Sequence, residues 1–321
     1  MLIDKSPLLS DTCASREYFY ENARQGLYDL LSTMIEHLHI NTILVPGYVG
    51  WSPREGSGIL DPISALSALS IRYYKVTKQL DVDLFDLSLQ IEQCARREFV
   101  VLVVNYFGFM PDNAGDVARL VRDRNGWIIE DNAHGLFTFH SSAVSYGDAS
   151  IFSLHKMLPF KAGGSLLIMS PYLKGLTFKG YTLSSTIYNP WQYSFKEISS
   201  RRVANYRCLA RVIEQNSDGV LFSPLKAVLP VGVVPQSFPI TIVRGSRDMA
   251  YHRLNDMGYG VVSLYHTLIE PLRNDRFAAS LELAKTILNL PVHQDVDSIH
   301  YVSMVEELSH ICRATVQVSG Q

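Results

Sequence analysis

The chain is expected to be an α/β protein: a mostly parallel central sheet with helices, followed by a smaller C-terminal α+β domain. Three observations predict this. Apolar runs bounded by polar residues recur in the first half, as in REFVVLVVNYFG (97–108) and WIIED (127–131). Such runs suit strands covered on both faces. Helical patterns alternate with them, which indicates βαβ units. After about Ser170 the composition turns aromatic and irregular, so the domains are set at 1–180 and 181–321.

Taken in order, ENARQGLYDLLSTMIEHL (21–38) places Leu27, Leu30, Leu31, Met34, Ile35 and Leu38 at helical spacing. NTILVPGYVG then reads as a strand entering a loop, and SIRYYKV (70–76) as a β-branched and aromatic strand. PDNAGDVARLVRDRNG (111–126) carries helix-start residues Asp112 and Asn113 and a helix-stop Gly126. Two further buried strands, DASIFSL and GSLLIM, flank Lys156. In the second domain, KEISSRRVANYRCLARVIEQ reads as a helix. Residues 236–266 read as strand, helix, strand, and DSIHYVSMVEELSHICR (297–313) as a last helix.

The chain has 321 residues, 47% hydrophobic and 19% charged, with a formal net charge of −2. That balance gives no electrostatic footprint for nucleic acid or an anionic membrane. Cys13, Cys94, Cys208 and Cys312 are far apart, so neither a metal site nor a disulfide framework is expected. No apolar run approaches the ~20 residues of a membrane span, and MLIDKSPLLSDT lacks the apolar stretch of a secretory signal. A soluble, cytoplasmic protein follows as the expectation.

Three segments bear on chemistry. WIIEDNAHG puts Asp131 just past the end of a buried strand, where open α/β sheets bind ligands. Taken alone, such an Asp is more often a turn or cap residue. Within SLHK, Lys156 sits in an apolar stretch, and a desolvated lysine is a nucleophile for carbonyls. Ser153 and His155 beside it can donate to an anion. The helix opening after Glu21 offers free N–H groups and a positive dipole end. Pyridoxal phosphate needs an amine for its aldehyde, a carboxylate for its ring nitrogen and donors for its phosphate. Lys156, Asp131 and the Ser153, His155 and 22–25 set supply these in turn.

Residues Glu130-Asp131-Asn132-Ala133-His134, Gly147-Asp148, Phe152-Ser153, Lys156 and Gly163-Gly164 resemble the core of the DegT/DnrJ/EryC1/StrS sugar aminotransferases. These are pyridoxal-phosphate enzymes of the aspartate aminotransferase fold, fold type I. SLHKMLPFKAGG also looks like the Ser-x-His-Lys segment of cysteine desulfurases. LVPGYVGWSP is similar to the family loop whose aromatic stacks on the pyridine ring, a role open to Tyr48 or Trp51. VVNYFG, with Asn105, resembles the segment beside the cofactor. SSRRVANYRCL and AKTILNLPVHQDV resemble the arginine-rich helix and the C-terminal segment, so the likeness covers roughly residues 20–315.

The family's segment before the lysine is two residues longer than FSLHK. A gapped alignment places Lys156 at the Schiff-base position; an ungapped one puts Leu158 there, and a third puts His155 there, as in the sugar 3-dehydratases. The phosphate turn falls on NARQG, with Ala23 and Arg24 as cofactor contacts, and the family's N-terminal arm is nearly absent. The resemblance implies an aminotransferase that moves an amino group from an amino-acid donor to a keto-sugar, nucleotide-linked, in polysaccharide or antibiotic synthesis. It also implies a homodimer, with Tyr188, Trp191, His266, Arg201 and Arg202 as candidate substrate or partner contacts. A dehydratase or other lyase on the same fold, and a non-catalytic binding module, are the alternatives. No metal is expected.

Overall fold

The computed structural model describes residues 16–53, 56–142, 144–216 and 219–318. Cys13 and the opening segment considered above lie outside the described residues. The first part of the chain contains β1 (Arg16–Tyr20), α1 (Ala23–Leu38), β2 (Thr42–Pro46), α2 (Leu60–Ser64), β3 (Ser70–Tyr74) and α3 (Leu84–Glu92). There follow β4 (Phe99–Val104), α4 (Ala114–Asp123), β5 (Trp127–Asp131), α5 (Leu136–Ser141), β6 (Ala149–Ser153), α6 (Leu154–Met157) and β7 (Gly164–Ile168). The remainder is α7 (Phe195–Asn216), β8 (Phe222–Pro224), β9 (Phe238–Ile242), α8 (Arg247–Asp256), α9 (Ala278–Thr286), β10 (Ile287–Leu290) and α10 (Tyr301–Val318).

Seven strands form one sheet in the order β1-β7-β6-β5-β4-β2-β3. β3, β2, β4, β5 and β6 run parallel, while β7 is antiparallel to β6 and β1 to β7. The central strand β4, FVVLVV, is buried at every position, as a strand covered on both faces requires. Each such side chain contributes roughly 1.5–3 kcal/mol by leaving water. A three-stranded antiparallel sheet, β10-β9-β8, forms the second layer system.

Two acidic residues that match the family pattern are structural. Glu130 is buried and accepts the N–H groups of Tyr146 and Gly147 and the hydroxyls of Ser145 and Ser150. It therefore pins the loop that leads into β6. Asp148 accepts from Arg122 at 2.7 Å and from the Ile128 N–H at 2.8 Å, tying α4 to the sheet. Neighbours along a strand point to opposite faces, so Glu130 braces the fold while Asp131 faces the crevice.

Local structure departs from the sequence reading in three places. Residues 134–147, for which the sequence suggests no helix, contain α5, whose Leu136 and Phe137 are buried. The run 97–108 ends as a strand at Val104, because Phe107 (φ 57°) and Gly108 (φ 93°) turn the chain. The segment up to His266 is not a strand. Gly258, Gly260 and Tyr265 all have positive φ, which interrupts an extended path, and only Val262 bridges to Asn289. The third strand is β10, from the segment ILNL.

Candidate active site

The carboxyl ends of β2, β4, β5 and β6 open onto one cavity of about 350 Å³. Nine of the residues expected at a cofactor site line it: Ala23, Arg24, Tyr48, Trp51, Asp131, His134, Ser153, His155 and Lys156. Asn105 does not. It is buried beside the wall and its amide donates to Asn132 Oδ1 at 2.6 Å, so it braces the loop after β5.

Asp131 ends β5 and is buried, with one oxygen accepting the Ala133 N–H at 2.8 Å. Burial raises its pKa, opposed by that hydrogen bond and by the charge of Lys156. His134 is also buried, and burial with the nearby Lys156 charge holds its pKa well below the usual value. The neutral ring therefore carries one proton. Its Nδ1 lies 3.4 Å from the Phe107 N–H and its Nε2 3.4 Å from Lys156 Nζ. Phe107 stacks on the ring at 6.1 Å and 13° and keeps it in place.

Lys156 is not enclosed by its apolar sequence neighbours. In the short helix α6, Leu154 and Met157 pack inward while Lys156 itself is exposed, and only its amino group is drawn to buried His134. Ser153 lies at the end of β6, its hydroxyl 3.3 Å from His155 Nδ1.

At the other end α1 begins. Asn22 caps it by accepting the Gln25 N–H at 3.1 Å, so the first turn and its dipole face the cavity. Close approach is what places it there: a Cβ on Gly164 would lie 2.3 Å from the Ala23 nitrogen. Only glycine lets β7 pass under the helix start. Arg24 is half-exposed and forms an ion pair with Asp61 at 3.7 Å.

The two aromatic candidates differ. Tyr48 is fully buried, packed against Tyr106 at 5.5 Å and Tyr265 at 5.3 Å, and forms the wall. Trp51 is exposed at the mouth, its backbone N–H donating to Thr267 O. Tyr106 and Tyr265 also line the cavity and were not foreseen. Tyr265 comes from the second half of the chain, turned inward by its positive φ of 59°. The aromatic Tyr265-His266 pair between two apolar runs was the available signal. Of the candidate substrate contacts, His266 lines this cavity, while Arg201 and Arg202 line another. Tyr188 covers Gly163 and packs on Phe160, and Trp191 stacks on Phe195 at 5.0 Å. Among the described residues no group of acidic, histidine and cysteine side chains could hold a metal. No helix among them is long and apolar enough to cross a membrane.

No protein-family profile matches the chain, and no curated protein does. Solved structures do. Spr1654 of Streptococcus pneumoniae, assigned as a sugar aminotransferase and solved in PMP and PLP forms, superposes with a TM-score of 0.73 for the former. The identity is 14%, over 95% of this chain and 88% of that one. A DegT DnrJ EryC1 StrS aminotransferase from Brucella abortus gives 0.69 at 14% identity, over 92% and 86%. PseC of Helicobacter pylori, an aminotransferase of pseudoaminic acid biosynthesis, gives 0.66 at 14%, over 93% and 87%. The chain has the fold of these aminotransferases. The mostly parallel central sheet and the small antiparallel sheet expected from the sequence are both present in it.

Proposed function

We propose that the protein is a pyridoxal-phosphate-dependent aminotransferase that moves an amino group from an amino-acid donor to a keto-sugar. The observation that carries this reading is convergence. An amine, a carboxylate and a helix N-terminus with an arginine meet on one cavity of a fold shared with aminotransferases. The residues present fit the cofactor. The Tyr48 hydroxyl lines the cavity, is buried, and has no hydrogen-bond partner among the described residues, so it has an unmet donor for a ligand oxygen. Asp131 would hold the ring nitrogen, Lys156 the aldehyde, and Ser153, His155 and the first turn of α1 the phosphate. When bound, pyridoxal phosphate supplies an electron sink for a carbon that loses its proton.

The chain's own groups do the rest. The Lys156 amine, once free, takes the proton from the donor's Cα and returns one when the acceptor is aminated. His134, whose Nε2 lies 3.4 Å from Lys156 Nζ, orients that amine. Asp131, as the anion, keeps a bound ring nitrogen protonated; its buried setting excludes water that would weaken the pairing. Tyr48 and Tyr106 close the wall, with the Tyr106 hydroxyl donating to Tyr48 O at 2.6 Å. Lys156 Nζ approaches His134, which favours the aminotransferase over a dehydratase lacking the lysine.

The keto-sugar acceptor is supported by sugar enzymes of the same fold, and a nucleotide-linked sugar for polysaccharide synthesis in the cytoplasm extends that analogy. A homodimer is supported by exposed Tyr181, Leu183, Ile187 and Trp191, apolar side chains within one segment that a second copy would cover. We further propose that the division near residue 180 separates a cofactor-binding domain from the smaller one.

The test is reductive trapping. The protein is incubated with pyridoxal phosphate, reduced with borohydride and mapped by peptide. Label on Lys156 is the expected outcome, and Lys156→Ala removes both the label and roughly 10²–10⁴-fold of amino transfer. Label on Lys161, or none, sinks the assignment.

A further inference from the structure

Tyr48 and Trp51 stand in one loop and meet the first cavity differently. Tyr48 is buried in its wall, whereas Trp51 lines it and is 45% exposed. Among the described residues no aromatic ring pairs with the indole and no acceptor takes its Nε1 hydrogen. The main chain beneath it is held all the same. The Trp51 N–H donates to Thr267 O at 2.8 Å, the Ile269 N–H donates to Val49 O at 3.0 Å, and Gly50 bridges to Leu268. A Cβ on Gly50 would lie 3.0 Å from Tyr265 Cα, so glycine is what lets the two segments lie this close. An indole with a held backbone and an open face is a platform ordered before any ligand arrives.

His266 stands on the facing segment and lines the same cavity. Its Nδ1 lies 2.6 Å from Ser263 O, and a carbonyl only accepts, so Nδ1 carries a hydrogen. In the neutral ring Nε2 is then left as an acceptor. The turn that presents this imidazole is anchored from behind by Arg247, whose side chain is only 10% exposed. Arg247 Nη1 donates to Ser263 Oγ at 2.6 Å, and Ser263 Oγ donates to Ile287 O at 3.3 Å. Arg247 is thus a positioning residue, acting on His266 through Ser263.

An open aromatic face beside a directed acceptor is the complement of a ring with an apolar C–H face and hydroxyl donors on its rim. A pyranose has both. A nucleobase also has a face and N–H donors, but the chemistry decides where each must lie. The ketone carbon of the acceptor has to come to the Lys156 amine, which lines this same cavity. The ring that carries this carbon therefore lies at the mouth, and a base joined to it through phosphates lies beyond. We infer that Trp51 and His266 form the sugar subsite of the acceptor, with the indole stacked on the C–H face of the pyranose and His266 Nε2 accepting from one of its hydroxyls. This rests on the aminotransferase reading above, and it gives Trp51 a role other than stacking on the pyridine ring.

The probes are UDP-glucose, UDP and methyl β-D-glucopyranoside, added to the full chain without pyridoxal phosphate, so the readout does not depend on catalysis. UDP-glucose and, at higher concentration, the glucoside should change the tryptophan fluorescence, and UDP should not. Trp51→Leu keeps Trp127 and Trp191 but should lose that change and bind UDP-glucose about fivefold more weakly, whereas Trp51→Phe retains most of the affinity. Thermal unfolding of Trp51→Leu should stay near wild type, because no ring packs on the indole. His266→Ala should weaken UDP-glucose binding about threefold, and His266→Gln, which keeps an acceptor, should weaken it less. No UDP-glucose binding to the wild type, or equal binding by Trp51→Leu, overturns the subsite. A fluorescence change given by UDP and not by the glucoside would assign the platform to the base, and overturns it as well. Failure of pyridoxal phosphate to label Lys156 would instead remove the aminotransferase reading, whereas absent sugar binding with Lys156 labelled would remove the subsite alone.

Discussion

At one end of the first cavity Asp131 and His134 are enclosed, each fixed by a backbone N–H, from Ala133 and Phe107. At the other end Arg24 and Trp51 are each nearly half-exposed, and Arg24 is paired with another half-exposed residue, Asp61. The first end is set by the sheet: Asp131 is the last residue of β5, and its position cannot change without moving the core. The second is set by a helix start and a loop, which can adjust. Chemistry that needs fixed charge therefore belongs at the first end, and binding that tolerates some play belongs at the second.

The sharpest way to break this comparison is Asp131→Asn. The volume is kept and the charge is lost, so cofactor binding should persist while amino transfer falls about a hundredfold. A comparable loss from Arg24→Ala would show that the two ends do not differ as described.

Gly164→Ala comes next, because it acts on the exposed end from beneath. The added methyl would meet the backbone of Asn22 and Ala23 at 2.3–2.7 Å, so α1 must shift. Overpacking of this kind costs about 1–3 kcal/mol. Denaturant titration should show that loss, and affinity for pyridoxal phosphate should fall with it. Unchanged stability would mean that the helix start is free to move.

The buried end was legible in the sequence because strands fix both position and spacing. Glu130-Asp131 follows a continuous apolar run, and a period of two separates a bracing acid from a crevice acid. Lys156 was found through the Gly pair after it. Its exposure was not, because the apolar letters around it belong to a one-turn helix with only two inward side chains. Tyr265 was missed for a related reason: its entry into the cavity depends on a positive φ after two positive-φ glycines, which periodicity does not report. Asn105 was placed at the cofactor by likeness, but Asn132, 27 residues on, takes its amide. The α3 helix, capped by Asp83, was overlooked in a short segment whose Phe85 and Leu89 are exposed.

A smaller effect tests His134. Its pKa is lowered by burial, so as pH falls below about 6.5 the unfolded chain takes up a proton that the folded one refuses. More protons on the unfolded side means that stability is lost as pH falls. Asp131, with its pKa raised, acts in the opposite direction above the ordinary aspartate value of about 3.9: the folded state keeps its proton longer, so stability falls as pH rises through that window. Comparing His134→Gln with wild type removes the Asp131 contribution common to both. The variant should lose less in melting temperature between pH 7 and 5. An identical slope would mean that His134 titrates alike in the folded and unfolded chain, and the neutral state assigned to it beside Lys156 would fail with it.

The least effect is expected at Asp61. The Arg24–Asp61 pair spans 3.7 Å with both side chains 48% exposed, and exposed pairs contribute roughly 0.2–1 kcal/mol, less at high salt. Asp61→Asn should therefore change stability only slightly. Its effect on anion binding should have the other sign, because the carboxylate competes with a phosphate for Arg24 at the mouth. Pyridoxal phosphate should bind the variant a few-fold more tightly, and the gain should shrink as ionic strength rises. Weaker binding would mean that Asp61 positions Arg24 rather than competing for it, and the exposed end would then be as preorganised as the buried one.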